Sequence, residues 1–349
     1  MNATAVRPPE PDELILALET SCDDTCAAVV DGSGAIRSNV ISSQGVHDRF
    51  GGVVPEIASR EHLRVINTAV DDALSRAAAT LDEIGLVAVT QGPGLVGALL
   101  VGLATAKALA AARGLPLAAV DHLQGHVAAN YLAPERLEPP FLCLIASGGH
   151  TLLGSVSDHE DFTVLGRTLD DAAGEAFDKG ARLLGLGYPG GAALERLAAE
   201  GDPGSFAFPG GGGRKGNASA FSRGLDFSFA GLKTALLYKV RDLGADEVTR
   251  RRSDLAAAYQ AAIADALAMR VQRALLQTGA DRLALGGGVA ANGAVRERLR
   301  QLGVPVHVPP RELCTDNAAM IASAARFGPR LAYPGYLDID AYATGERRP

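Results

Sequence analysis

The chain alternates short apolar runs with polar, glycine-rich turns and with longer stretches that carry apolar residues at helical spacing. Continuous apolar runs bounded by turn residues predict strands buried on both faces. They fall at Leu14–Leu18, Cys26–Val30, Leu86–Val89, Phe141–Ala146, Thr151–Leu153 and Leu283–Leu285. Helices are predicted over Pro55–Leu74, Leu95–Ala112, Gly174–Leu184, Leu255–Thr278, Asn292–Leu302 and Asn317–Arg326. The order repeats itself. A strand, a polar turn (Glu19–Thr25) and a second strand open the first half, and a strand, the turn Gly92-Pro93-Gly94 and a helix close it. The second half opens with Phe141–Ala146, Ser147-Gly148-Gly149-His150 and Thr151–Leu153, and closes with Leu283–Leu285, Gly286-Gly287-Gly288 and a helix. Alternating strands and helices in two matching halves predict a duplicated α/β fold with a cleft between two lobes.

The halves are expected at 12–138 and 139–316, the second lengthened by an insertion over about 170–253 that holds the glycine tract 210–216. A C-terminal helix within 317–330 is expected to pack back on the first half. The polar ends, 1–11 and 337–349, are expected to be flexible tails.

Composition narrows the function classes. With 349 residues the chain suits two domains of ordinary size, and 47% apolar against 21% charged residues predicts neither disorder nor a membrane protein. Its start lacks the apolar core of a signal peptide, so a cytoplasmic protein without a membrane partner is expected. The four cysteines (Cys22, Cys26, Cys143, Cys314) include no C-x-x-C pair, which argues against a disulfide framework. A net charge of −7 disfavours nucleic acid over the surface as a whole. A nucleic-acid partner would need a local patch, such as Arg214-Lys215 with Arg223 or Arg250-Arg251-Arg252, or another subunit. The second run reads more often as a solvated face. The absence of tryptophan argues against a base-stacking platform.

The strongest chemical signal is Asp121-His122-Leu123-Gln124-Gly125-His126, where two imidazoles four residues apart share a helical face and could hold one metal ion. A third, anionic ligand must come from elsewhere, and Asp316 in Cys314-Thr315-Asp316-Asn317 is the candidate. Imidazole with carboxylate suits iron or zinc better than magnesium. A zinc peptidase would need H-E-x-x-H, and Leu123 stands where the glutamate would be. Three glycine turns follow buried strands; they are either tight turns or phosphate-binding backbone. No P-loop or Rossmann glycine pattern is present. Asp171, Glu175 and Asp178 fall on one helical face, either as ligand binders or as a solvated first turn. Glu195 lies one turn beyond Gly187-Tyr188-Pro189-Gly190-Gly191. Asn292 reads as a helix N-cap or as a reader of an adenine or ribose edge. Asp23 and Asp24, at the first hairpin tip, read as turn formers or as groups orienting a metal or leaving group.

Taken in order, these segments resemble the bacterial form of the tRNA threonylcarbamoyladenosine transferase family, formerly described as O-sialoglycoprotein endopeptidases. The matching stretches run from Glu19-Thr20-Ser21-Cys22-Asp23-Asp24-Thr25 through Gly51–Glu56, Gly92–Leu95, His122…His126 and Ser147–Thr151. They continue with Asp178-Lys179, Tyr188–Gly191, Leu225–Phe229, Gly231–Thr234, Gly286–Gly288 and Cys314–Asn317. The resemblance implies the actin/sugar-kinase/Hsp70-type (ASKHA) fold. It also implies transfer of threonylcarbamoyl from L-threonylcarbamoyladenylate to N6 of the adenosine beside the anticodon, in tRNAs reading ANN codons, with release of AMP. His122, His126 and Asp316 match its metal ligands, and the implied metal is Fe(2+), one per chain, with zinc as the second choice. Ile145, Ala146, Ser147, Gly148 and Gly149 match the loop on the substrate's phosphate side. Asp178, Gly191, Glu195 and Asn292 match positions that hold the nucleotide or acyl donor. No residue stands out as a general base. Ile145 occupies the place of a tyrosine ligand in archaeal and eukaryotic relatives, which fits the bacterial branch, and Gln124 replaces a frequent glutamate. A TsaB-like paralogous subunit and a TsaE-like ATPase are the implied protein partners, beside tRNA. The competing readings are an ATPase or sugar kinase of the same superfamily, which would not need His122 and His126, and a non-catalytic scaffold subunit.

Overall fold

A computed structural model describes residues 9–132, 134–209 and 224–343. The glycine tract 210–216, the basic candidates Arg214, Lys215 and Arg223, and the outermost parts of both expected tails lie outside the described residues. Two compact units emerge. One holds the chain up to Glu138 together with Asp158–Glu160 and everything from Thr315 on; the other holds Pro139–Ser157 and Asp161–Cys314.

The first unit is built on a five-stranded sheet in the order β3-β2-β1-β4-β5. Its strands are β1 Leu14–Glu19, β2 Asp24–Asp31, β3 Ile36–Ser43, β4 Ile84–Gly92 and β5 Leu117–Asp121. β1 pairs antiparallel with β2 and parallel with β4. Ile15 to Leu18 have no exposure, which is why the run is apolar without alternation: both faces of the strand are covered. The covering helices include Pro55–Ala77, opened by a proline at its first turn, and Val96–Arg113, closed by Gly114 at φ 64°. Among the described residues, Val96–Arg113 is the one helix long and apolar enough to cross a membrane, by length and composition only. Here its buried residues, Ala98, Leu99, Leu103 and Ala106 among them, belong to the first unit's interior, where the helix meets β4 and Pro55–Ala77.

The second unit repeats the plan in the order β10-β9-β6-β7-β8. β6 Phe141–Ala146 pairs antiparallel with β7 Thr151–Val156, and β7 with β8 Phe162–Arg167. β9 Leu283–Gly286 runs parallel to β6 and to β10 Val306–His307. Each sheet is thus three antiparallel strands followed by two parallel ones, with β6 in the role of β1. The duplication read from the sequence is present in the topology. The long helix Arg252–Thr278 carries the unit's core, with Tyr259, Ile263, Leu267 and Val271 wholly buried.

The observed helices differ from the expected ones by a few residues at their ends, where caps decide the boundary. Asn317 caps Ala318–Ala325 by accepting from Met320 N–H at 3.0 Å, and that helix is buried on every side. It belongs to the first unit, against β1, β2 and the helix His122–Ala128. The stretch from 337 to 343, whose polarity suggested a tail, is held at several points: Lys107 Nζ donates to the Leu337 carbonyl at 2.9 Å, and Gln91 Nε2 to that of Asp340 at 2.8 Å.

Candidate functional site

The histidine pair lies on His122–Ala128, a helix that starts where β5 ends. Asp121 is the cap: its Oδ1 accepts from the N–H groups of Leu123 at 2.8 Å and Gln124 at 3.1 Å. The helix is pressed against Ala318–Ala325 at Gly125, where a Cβ would sit 2.8 Å from Ile321 Cδ1. Glycine thus lets the two helices approach with the Ile321 side chain in place. Ser323 Oγ fastens the same two helices by donating to the Ala128 carbonyl at 2.7 Å. Their contact brings Asp316, just before the Asn317 cap, to the histidines. Asp316 Oδ1 is 3.3 Å from His126 Nε2 and 3.7 Å from His122 Nε2. One ligand atom from each residue fits within 4.8 Å, and among the described residues no other group of three His, Cys, Asp or Glu side chains does so.

The donor chemistry fits a metal ion. His126 is 1% exposed, yet neither of its ring nitrogens makes a hydrogen bond. A buried imidazole so placed carries a desolvation cost of about 1–3 kcal/mol that a metal bond would remove. Both Nε2 atoms and the Asp316 oxygen converge, giving two neutral nitrogens and one anionic oxygen, a set that suits iron(II) or zinc.

Behind His122 stands a support that the sequence reading named only as part of a motif. Glu19, at the end of β1 and fully buried, accepts from His122 Nδ1–H at 3.0 Å. Ser21 N–H and Thr90 Oγ1 donate to its two oxygens, and Ser21 Oγ lies 3.2 Å from His122 Nδ1. This carboxylate–histidine arrangement fixes the ring and leaves Nε2 for a metal. Burial alone raises the Glu19 carboxyl, but its attraction to and hydrogen bond with His122 outweigh that and hold it below the usual range. Burial likewise opposes a charged His122, yet Glu19 and Asp316 push its pKa up to about 9.

That value fixes a pH dependence. In the ion-free protein His122 keeps both protons until about pH 9, and a metal must displace the one on Nε2. Metal affinity should therefore rise with pH through the neutral range and level off above about 9. Because the folded pKa lies above the ordinary 6.5, the charged ring stabilises the ion-free fold fully below 6.5 and loses that contribution as pH climbs through about 9. Titration calorimetry with zinc in buffers of different ionisation enthalpy should find about one proton released per ion near neutrality.

Other polar groups hold the first hairpin. His62, fully buried, donates from Nε2 to the Cys22 carbonyl at 3.0 Å and accepts the Thr25 hydroxyl at Nδ1, 2.8 Å away. Its pKa is lowered chiefly by burial, so the ring is neutral with the proton on Nε2. Asp24 is pushed up to about 6 by burial and by the charges of Asp316, Asp23 and Glu19, against a lowering hydrogen bond from Ser43.

The remaining candidates lie in the second unit. Ile145 and Ala146 are buried in β6, so their side chains are closed to a ligand. Ser147-Gly148-Gly149 forms the β6–β7 turn: Ser147 N–H donates to the His150 carbonyl at 2.8 Å, and His150 N–H to Ser147 Oγ at 3.1 Å. A Cβ at Gly148 or Gly149 would meet open space, whereas one at Gly287 would fall 2.4 Å from the Ala146 carbonyl. The Gly286-Gly287-Gly288 turn thus seats against the end of β6 and is followed by a short 3-10 turn, Gly288–Ala291, before the helix Gly293–Arg300.

Asn292 caps that helix through Val295 N–H at 3.0 Å and donates from Nδ2 to Gln260 Oε1 at 2.9 Å. Glu195 Oε1 accepts from Gly293 N–H at 2.7 Å, so Glu195 and Asn292 meet at one helix start. Asp178 Oδ1 accepts from the N–H groups of Gly190 at 2.8 Å and Gly191 at 3.1 Å. Burial raises its pKa despite these bonds. Asp171 and Glu175 are joined instead by Lys179, at 2.7 and 2.8 Å. In the basic run, Arg250 pairs with Glu247, Arg251 with Asp254 and the Phe206 ring, and Arg252 with the Leu184 carbonyl. Those bonds suit a structural role for the run.

The family model for tRNA N6-adenosine threonylcarbamoyltransferase matches residues 35–323. A relative of that name from Clostridium botulinum (strain 657 / Type Ba4) is 47% identical over 334 residues, 94% of this chain and 96% of the relative. Another from Clostridium perfringens (strain SM101 / Type A) is 47% identical over 320 residues, 90% of this chain and 92% of the relative. Among solved structures, component A of the (R)-2-hydroxyglutaryl-CoA dehydratase of Acidaminococcus fermentans superposes with a TM-score of 0.53 at 14% identity, covering 94% of this chain and 100% of that one. HypF from T. kodakarensis gives 0.58 at 15%, covering 91% of this chain and 47% of that one. Such identities speak to the fold alone, which is the duplicated ASKHA type. The extent of the sequence match is another matter: this chain belongs to the tRNA N6-adenosine threonylcarbamoyltransferase family and is a transferase.

Proposed function

We propose that the chain transfers the threonylcarbamoyl group from L-threonylcarbamoyladenylate to N6 of the adenosine beside the anticodon in tRNAs reading ANN codons. The observation that carries this reading is the His122–His126–Asp316 set, its two histidines buried and neither His126 nitrogen hydrogen-bonded, in a chain of this family. A kinase of the same fold has no use for such a set. Ser147, Gly148 and Gly149, with Ile145 and Ala146 behind them, hold the phosphate side of the adenylate through backbone groups. Asp178, Gly191, Glu195 and Asn292 hold its nucleotide or acyl part. His122, His126 and Asp316 hold one Fe(2+), with zinc as the second choice. When bound, the ion supplies Lewis-acid polarisation of a substrate oxygen.

The N6 lone pair attacks the carbamoyl carbon, the bond from that carbon to the phosphate oxygen breaks, and AMP leaves with the electron pair. N6 gives up one proton to solvent. AMP is a good leaving group and the exocyclic amine a weak nucleophile, so alignment contributes more than a strong base. Glu19 acts through His122 by orienting its ring. A cytoplasmic setting, a TsaB-like paralogous subunit and a TsaE-like ATPase belong to the same reading. The net charge of −7 agrees with a protein that relies on a partner to hold tRNA.

Product analysis tests the reaction. Given L-threonylcarbamoyladenylate, unmodified tRNA and its partner subunits, the chain should release AMP only when tRNA is present. Formation of ADP from ATP and a small acceptor, with no AMP from the adenylate, would overturn it in favour of a kinase.

A further inference from the structure

The last described stretch of the chain is bound to the element that carries both histidines. Tyr342 is 4% exposed, although it lies only a few residues from the C-terminus. Its hydroxyl donates to Asp121 Oδ2 and also faces the Gly92 carbonyl at 2.8 Å. Its backbone N–H reaches the Gln91 carbonyl at 3.3 Å, and Ala343 forms a bridge beside Gly94.

The seat for this strap is the Gly92-Pro93-Gly94 turn, which the sequence reading left open between tight turn and phosphate loop. A Cβ on Gly92 would fall 2.5 Å from the Tyr342 carbonyl oxygen and 2.9 Å from its ring. On the other side, a Cβ on Gly94 would fall 2.6 Å from the Ser21 carbonyl. The turn therefore lies between the strap and Ser21, whose hydroxyl is beside His122 Nδ1.

Asp121 divides its carboxylate between two tasks. Oδ1 caps the histidine helix, and Oδ2 takes the Tyr342 hydroxyl. A cap residue free to rotate holds its helix start in several arrangements; one tied at both oxygens holds it in one. His122 is the next residue. We propose that Tyr342 is a positioning residue for the metal centre, acting through Asp121, and that the C-terminal strap sets how tightly His122 and His126 hold their ion. This rests on the metal reading above and adds to it a group 221 residues away in sequence from the cap it fixes.

The test uses the full chain, stripped of metal and titrated with cobalt(II), whose visible d–d absorption reports ligand geometry. Tyr342→Phe keeps the ring against Gly92 and removes only the hydroxyl. It should bind cobalt roughly tenfold more weakly, the lower end of what loss of an outer-shell partner costs, with an altered absorption band. A thermal melt confirms that the variant is folded. Asp121→Asn is the second variant, and it keeps the proposal testable should Tyr342→Phe prove unstable. It should weaken cobalt binding too, and adding Tyr342→Phe to it should cost little more, because both act along one line. Unchanged affinity and spectrum in folded Tyr342→Phe, or full additivity with Asp121→Asn, would overturn the inference. If the unaltered chain and His126→Ala bind cobalt equally, the metal reading itself fails, a result distinct from either.

Discussion

Replacing His126 with alanine should abolish stoichiometric metal binding and lower threonylcarbamoyl transfer by roughly a hundredfold or more. The figure follows from a Lewis-acid contribution of several kcal/mol, of which ~3 kcal/mol already corresponds to about a hundredfold in rate. His126 makes no hydrogen bond, so its removal strands no hydrogen-bond partner, although Asp316 Oδ1, 3.3 Å from Nε2, loses a neighbour. The ion-free variant should therefore melt close to the ion-free parent. The difference should appear on adding metal, which at about a hundred times its dissociation constant stabilises a native site by ~2.7 kcal/mol. The parent should gain that increment and His126→Ala should not. Metal analysis of the purified proteins, paired with melting curves with and without added ion, checks both halves. A variant that retains full metal content would contradict the ligand assignment.

Glu19 should prove as important for a different reason. It is fully buried, and its oxygens take Ser21 N–H, the Thr90 hydroxyl and His122 Nδ1–H. Glu19→Ala leaves a charged imidazole buried without its nearer, hydrogen-bonded counter-ion, and breaking such a pair costs about 3–5 kcal/mol. Denaturant unfolding of the ion-free protein measures this directly. Glu19→Gln keeps the shape but loses the charge that holds the His122 proton, so it should fold better than the alanine variant. It should still bind metal roughly 10–100-fold more weakly, as loss of an outer-shell carboxylate does. Its affinity should also depend less on pH, because without Glu19 the largest charge that raises His122 is gone. Parent-like affinity with a parent-like pH profile would remove Glu19 from the account.

What could be read from the sequence follows from how each feature is encoded. β1 and β6 were legible because strands buried on both faces are written as unbroken apolar runs. β3 was not: Ile36–Ser43 is only partly buried and interleaves Arg37, Ser38 and Asn39 with its apolar residues. β8 lies at a sheet edge with mostly partial or full exposure, and β10 has just two residues. The helix Gly191–Ala198 is short and begins in a glycine turn, so nothing in its spacing separated it from a loop.

At the site, His122 and His126 were legible because a helix fixes the distance between residues four apart. Asp316 was legible as a polar group opening a small-residue helix. The role of Glu19 was hidden, since a charged residue ending an apolar strand reads as the strand's boundary and its partner lies 103 residues away. One signal was available: an acid directly continuing a wholly buried run must itself be buried and therefore paired. Tyr342 was hidden more deeply, in a polar stretch that reads as a tail. The close approach at Gly92 and Gly94, which the structure shows, has no separate mark in the sequence, where the two glycines read as a turn.

The most direct test is mass spectrometry of nucleosides from unmodified tRNA incubated with this chain, its partner subunits, threonine, bicarbonate and ATP. Threonylcarbamoyladenosine should appear with the metal-loaded chain, be absent when the chain is omitted, and fall to trace levels with His126→Ala. Equal amounts of the modified nucleoside with the parent and with a metal-free His126→Ala variant would contradict the metal-centred account. No modified nucleoside from this chain, under conditions where a relative produces it, would contradict the transfer reaction itself.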